Sequence, residues 1–491
     1  MGTVTSLTSA NHPRWVILNG WGIPKYDVDD DTSFAAAAAA ECRTSWGQPL
    51  RVTLSAASPP AISFICFDNH DKFDNFCVRV IAAHGDSVLL KMSVPENQHH
   101  RHLRFDHSSD YFVYKAAGDQ PSLSLLPPCD IPMKKHDQEW YGAKDHVLSV
   151  TREFEQDNTG ILRDEEDGLL LPLVAQLQIS FDPPFDTAEI CVLRPGRHRE
   201  WELNTAVPIV VQHNSGNKRH RLKRWQETDV AVPVGSRFLC WANYDLSTFL
   251  LYDMADAIDK LVYVPLPVKP VPPGGIFFFA FGNLRLLPRP RLLQDQLRLQ
   301  QVIIDNSSQK CTCHRFVHDI PVEEDDDDEE EQLPWLYYRK IGAAGDDTVR
   351  FVSIDNRCCC GTPVIRSRCE HSSSAFMVTM WSLALRTTGE SPMVWVKEAV
   401  LDCEEIWALL AASSKGLPRV YVVCPVVSFE NPDVVCFIAR SEDIDDDEDG
   451  KIWTIEIDMK RKTLMSVAPC PPHPLRHVNY CGHLPAKLYT S

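Results

Sequence analysis

The stretch Ile452–Pro469, IWTIEIDMKRKTLMSVAP, decides the fold. Trp453, Ile455 and Ile457 fall on one face and Thr454, Glu456 and Asp458 on the other, the two-residue period of a half-buried strand. The polar run Lys460-Arg461-Lys462 then reverses the chain, and a second apolar run ends in small residues and a proline. This is a β-hairpin, and degenerate copies of it precede it. They are DYFVYKAAGDQPSLSLLPPC from Asp110, AEICVLRPGRHREWELNTAVP from Ala188, FLLYDMADAIDKLVYVPLPV from Phe249 and VTMWSLALRTTGESPMVWVKEAV from Val378. In each, an aromatic-bearing strand turns at polar residues and returns toward small apolar residues. Apolar runs stand ahead of several copies, at Val88–Leu90, Phe238–Ala242 and Val434–Ala439, as expected of strands buried on both faces.

The copies begin 78, 61, 129 and 74 residues apart, so one long interval has room for a diverged copy and an insertion. A repeat of this length in a chain of 491 residues predicts an all-β protein. Its expected form is a β-propeller-like array of six or seven antiparallel blades with acidic loop insertions. Two or three separate β-domains are the alternative. The 35 prolines argue against long helices. Glu404–Ser413 is the best helix candidate, with a strand followed by a loop as the equal alternative, and Ala35–Ala40 allows either a second short helix or unstructured low complexity. The expected organisation is a disordered N-terminus over 1–12, first blades over 13–212 and remaining blades over 213–487.

Charge sharpens the picture. Of the net −18, nine acidic residues form the unbroken run 323–331 and seven more lie within 442–449, which leaves the body near neutrality. Both tracts read as solvated inserts. With a pI near 5.4 the chain is poorly suited to neutralising phosphates, so nucleic acid is disfavoured as a partner. No apolar run approaches the roughly 18 residues of a membrane span. The N-terminus shows no basic region followed by an apolar core. The 17 cysteines are therefore expected as reduced thiols in the cytosol or nucleus. Cys66, Cys191, Cys240 and Cys436, flanked by aliphatic and aromatic residues, read as small buried hydrophobes.

Three larger blocks carry a resemblance: RFLCWANYDLSTFLLYDM with LVYVPLPV, VRFVSIDNRCCCG, and WVKEAVLDCEEIWAL followed by PVVSFENPDVVCFI. With the ending IWTIEIDMKRKTLMSV and the opening PRWVILNGWG, the chain resembles the plant domain-of-unknown-function 1618 family, which is expanded in grasses. The resemblance runs from about Pro13 to Lys487. It implies a plant origin and an interaction module, and it brings no catalytic or ligand residues. The layout is also similar to the β-propeller-like domains of plant F-box proteins, without their Leu-Pro-rich F-box.

The residues offer a few chemical candidates. Cys311, Cys313 and His314, with Cys358, Cys359, Cys360, Cys369 and His371, include enough soft ligands for zinc, but gaps of one, zero and one residue are shorter than zinc pairs use. Asp445, Asp447, Asp449, Gly450 and Glu456 match a calcium-loop spacing, although both flanks read as strands. A thiol–imidazole pair near 358–371, with Arg357 or Arg366 as the cation, is the enzymatic alternative: a hydrolase or transferase. Lys218–Arg224 ahead of Trp225 is a basic segment suited to nuclear import or to an exposed loop, and His99, His100 and His102 form a polar cluster. No Walker loop, Gly-x-Ser-x-Gly elbow or dinucleotide fingerprint is present. The reading assigns no catalytic, cofactor-binding or metal residues and no cofactor. It expects a non-catalytic intracellular scaffold with a protein partner.

Overall fold

The computed structural model describes residues 13–25, 39–68, 77–93, 109–116, 120–132, 149–166, 169–180, 185–194, 200–211, 222, 224–225, 227–256, 259–270, 337–356, 375–386, 392–413, 417, 419–441, 452–470 and 482–486. They are almost entirely β, arranged in several sheets, with one α-helix among them.

The strands fall into six units. Unit one contains β1 (Val16–Leu18), β2 (Ile23–Pro24), β3 (Ala40–Arg43), β4 (Pro49–Ser55), β5 (Ile62–Asp68) and β28 (Leu484–Ala486). Unit two is β6 (Cys77–His84), β7 (Ser87–Ser93), β8 (Ser109–Lys115) and β9 (Ser122–Leu125). A small ribbon follows, β10 (Asp130–Pro132) with β11 (Ser149–Thr151). Unit three is β12 (Thr159–Glu166), β13 (Leu169–Ile179), β14 (Thr187–Leu193) and β15 (Trp201–Val211). Unit four is β16 (Val230–Val234), β17 (Phe238–Asn243), β18 (Thr248–Asp253) and β19 (Leu261–Pro265). Unit five is β20 (Arg339–Ala343), β21 (Thr348–Asn356), β22 (Phe376–Ala384) and β23 (Val396–Asp402). Unit six is β24 (Val420–Val427), β25 (Val434–Ser441), β26 (Ile452–Asp458) and β27 (Thr463–Pro469).

Units two to six are antiparallel meanders in sequence order. All five hairpins read from the sequence recur as the third and fourth strands of these units. The apolar runs ahead of them become second strands: β7, β17 and β25. Unit one is ordered β28-β1-β5-β4-β3, with β1 antiparallel to β28 and parallel to β5. Units three and four join into one eight-stranded sheet, because β15 runs parallel to β19 from Ile209–Leu261 to Val211–Tyr263. That sheet continues across the 212/213 division expected from sequence.

Strand alternation distributes the core. In β17 and β18, Leu239, Trp241, Leu250 and Tyr252 pack toward unit three, while Cys240, Ala242, Phe249 and Leu251 pack toward unit five. Neighbouring residues thus enter different cores, so both strands are buried throughout. Equivalent cores lie between units one and two, two and three, and five and six. Trp15 and Ile17 of the first unit then meet Val426 and Cys436 of the sixth. Each fully buried Leu, Ile or Phe contributes roughly 1.5–3 kcal/mol, so shared cores dominate the stability.

The helix α1 (Cys403–Ala411) lies where the sequence places it. Asp402 caps it by accepting from the Glu404 N–H, and the Glu405 carboxylate accepts the Asp402 N–H at 3.0 Å. Ile406, Trp407 and Leu410 bury one face in the core of units five and six. The Trp407 indole donates to the Val420 carbonyl at 2.6 Å, tying the helix to the start of the sixth unit.

Gly235 turns β16 into β17 at φ +56°, and a Cβ there would come within 2.3 Å of the Asp346 carbonyl oxygen in unit five. Gly235→Ala must strain the backbone and push two units apart. The expected cost is about 2 kcal/mol or more, measured by urea unfolding, with the far-UV spectrum unchanged.

Candidate functional site

A cluster of ionisable groups lies where units one, two and three meet. The segment 152–158, between β11 and β12, carries Arg152, Glu153, Phe154, Glu155, Gln156, Asp157 and Asn158. Phe154 anchors it. It is 1% exposed, stacks on Trp201 with ring centroids 4.5 Å apart and meets the Tyr111 ring edge-on at 5.0 Å. The Phe154 N–H donates to the Tyr111 hydroxyl oxygen at 2.8 Å. Burial pushes the Tyr111 phenol well above its ordinary range.

The flanking side chains point to charge. Lys91 of β7, almost wholly buried, donates to Glu153 at 3.2 Å and also to Glu155. Arg79 of β6 reaches Glu155 at 2.9 Å while its guanidinium covers the Trp21 ring at 4.9 Å. Gln176 donates to the Glu153 carbonyl at 2.6 Å, and the Trp241 indole to the Asn158 carbonyl at 2.8 Å. Gln156 donates to the Gly482 carbonyl at 2.8 Å, just ahead of β28. Seven consecutive residues therefore touch units one, two, three and four. Two cations against two carboxylates leave the cluster self-neutralised. Glu153, 56% exposed at its side chain, is the member that opens to solvent.

Two further polar groups stand between units. Arg350 pairs with Glu398 at 3.1 Å and Asp433 at 2.9 Å, and Lys460 pairs with the same two carboxylates, each at 3.1 Å. This square of alternating charge clasps unit five to unit six. The Ser382 hydroxyl also donates to Glu398, and with the two cations it holds that carboxyl down at about 2. Lys340 of β20 is 7% exposed, and burial holds its amine down to about 8 against the pull of Asp229.

The candidates read from sequence fall mainly elsewhere. Cys311, Cys313, His314, Cys358–Cys360, Cys369, His371, Arg357, Arg366, His99, His100 and His102 lie outside the described residues, as do both acidic tracts and Asp445–Gly450. Glu456 is described: it is mid-strand in β26 and accepts the Ser466 hydroxyl at 2.7 Å. Of the basic segment, Leu222 and Trp225 are buried in the core of units three and four. Among the described residues no group of three or more His, Cys, Asp or Glu side chains is placed to hold a metal ion. Nine described cysteines carry free thiols and Cys424 is disulfide-bonded, which corrects the expectation that all are reduced. Among the described residues no helix is long and apolar enough to cross a membrane.

Residues 302–436 match the family described as "Protein of unknown function (DUF1618)". The match covers just over a quarter of the chain. It lies inside the 213–487 part and is narrower than the resemblance read from the sequence. No curated protein matches the chain. Among solved structures, the chain is similar to a hypothetical selenium-binding protein from Sulfolobus tokodaii. Identity is 10% over 72% of this chain and 73% of that one, and the TM-score is 0.26, too slight a likeness to build on.

Two measurements check the junction. Lys91→Met leaves Glu153 and Glu155 facing each other without their shared cation, and should cost about 1–3 kcal/mol in urea unfolding. His84 of β6 accepts the Arg163 N–H on Nδ1 at 3.1 Å, so it is neutral there. Burial, with the Arg163 charge, pushes it from 6.5 down to about 4, and Asp86 opposes. Its contribution is intact above 6.5 and is lost as pH falls toward 4, by up to about 3 kcal/mol. His84→Asn should flatten that limb of the stability–pH curve.

Proposed function

We propose that the chain is a six-bladed β-propeller-type scaffold that binds an extended segment of another protein rather than catalysing a reaction. The propeller reading is supported by six units, each packed on the next, and by a first unit that shares a core with the sixth and takes its strand β28 from the chain beyond it. Shared cores on both faces of each unit leave the rims and outer strand edges for recognition. In keeping with the family resemblance, the proposed setting is the cytosol or nucleus of a plant cell.

The observation that carries the binding reading is the edge of unit five. Val394 and Val396 are 64% and 55% exposed, at the start of a strand that pairs only with β22 among the described residues. Between them the Trp395 indole donates to the Pro265 carbonyl at 2.8 Å, and its ring meets Phe249 and Phe351 edge-on. The edge is thus rigidly held while its apolar side chains face outward. An apolar strand with an open edge offers main-chain hydrogen bonds for affinity and side-chain contacts for specificity. The charge square and the Lys91 cluster support the same reading, since each spends its ionic groups on joining units.

The test compares proteins retained by the wild-type chain and by a Val394→Asp, Val396→Asp variant. Exposed positions of this kind change stability by no more than about 0.5 kcal/mol each. The expected result is an unchanged Tm and loss of a specific retained partner. Equal retention by both chains, or a hyper-reactive cysteine within 358–369 under a thiol probe, would turn the reading toward the hydrolase or transferase alternative.

A further inference from the structure

Cys129 and Cys191 lie 62 residues apart in sequence, and their sulfur atoms are 3.4 Å apart. Cys129 is in the segment that leads into β10, and Cys191 is in the middle of β14. Both are buried, at 2% and 0% exposure, in the core shared by units two and three. The Cys129 carbonyl accepts the Arg152 N–H at 2.8 Å, so the backbone of one thiol is locked to the residue whose guanidinium lies beside the other. That guanidinium is held by Gln178 at 2.5 Å and Glu189 at 2.9 Å. Its Nη1 is buried and makes no hydrogen bond among the described residues.

The two thiols are chemically unequal. Hydrogen bonding from Cys129, helped by Arg152, holds the Cys191 thiol below its ordinary value, and the same contact pushes Cys129 up. Among the described residues the other perturbed thiols are raised. Burial raises Cys240 and Cys436, and it raises Cys66 and Cys470 to about 11. A thiolate forms where a cation adjoins it, and a buried thiol in apolar surroundings is inert.

We propose that Cys129 and Cys191 form a redox modification site, which hydrogen peroxide converts to a disulfide that ties the β10–β11 ribbon to β14. The Cys191 thiolate attacks one peroxide oxygen. The O–O bond breaks, and the departing hydroxide takes up a proton as water. Cys191 is then a sulfenic acid. The Cys129 sulfur attacks the Cys191 sulfur, the S–O bond breaks, and the released hydroxide combines with the Cys129 proton as a second water. The two sulfurs lose two electrons and the peroxide gains them. A dithiol reductant reverses the change by exchange. Closing the sulfur separation from 3.4 Å to a bond length of about 2 Å is a side-chain movement. Peroxide enters past the ribbon, a pair of three-residue strands with its Thr151–Asp130 side-chain hydrogen bond exposed.

The test uses the full reduced chain. It is exposed to equimolar hydrogen peroxide, denatured with an alkylating agent and digested for peptide mass measurement. The expected result is a Cys129–Cys191 peptide two hydrogens lighter than its thiol parts. It should form before any cystine other than that of Cys424 appears and be lost with dithiothreitol. Arg152→Gln should slow its formation on the order of tenfold by removing the cation. If that variant does not fold, Cys129→Ser replaces it, and Cys191 must then accumulate sulfenic acid that dimedone traps. Both thiols remaining alkylatable while other cysteines oxidise, or no trapped sulfenic acid in Cys129→Ser, overturns the proposal.

Discussion

Val16, Ile17 and Leu18 hold the first unit to the end of the described chain. Their strand is hydrogen-bonded to Leu484–Ala486 on one side and to Ile62 and Ser63 on the other. The same three residues also supply apolar surface in two directions: Val16 and Leu18 to the core with unit two, Ile17 to the core with unit six. Without this strand, two cores would lose a wall and two strands would lose their ladder partners. Burial terms of roughly 1.5–3 kcal/mol per large side chain then work against the arrangement instead of for it. Packing of the first unit on the second and the sixth therefore depends on a strand of only three residues.

Polar contacts between units do a different job from the apolar cores. Arg350 is buried and its carboxylate partners are largely shielded, so the desolvation of these groups offsets much of their attraction, and the square of Arg350, Glu398, Asp433 and Lys460 adds little net stability beside the core beneath it. Its value is angular: four side chains from two units must agree on one arrangement. The segment 152–158 does the same among four units, with Phe154 as the apolar pin and its charged neighbours as guy lines. Buried charges such as Lys91 are tolerated because their partners are already in place.

Much of this was legible in the residues. Period-two alternation and polar turns revealed five hairpins, because those signals are local. The helix was legible for the same reason, through Ile406, Trp407 and Leu410, whereas its Asp402–Glu405 cap was not read. The first unit was not. Two of its strands, Val16–Leu18 and Leu484–Ala486, are three residues long and pair across the chain, so neither shows a period of its own. The 152–158 segment was missed because its meaning lies in distant partners such as Gly482. Cys191 was read as a small buried hydrophobe; it is buried, but nothing nearby in sequence announces Cys129 or Arg152 beside it. The candidates that did stand out, Cys311–His314, Cys358–His371 and Asp445–Gly450, lie outside the described residues.

The parallel pairing of Ile209–Val211 with Leu261–Tyr263 has a consequence for solubility. A sheet margin with unsatisfied amides is a template for fibril growth, and proteins usually blunt it with charge or proline. Here two margins consume each other. Aggregation pressure then falls on the margins that stay unpaired among the described residues, that of Val396 included.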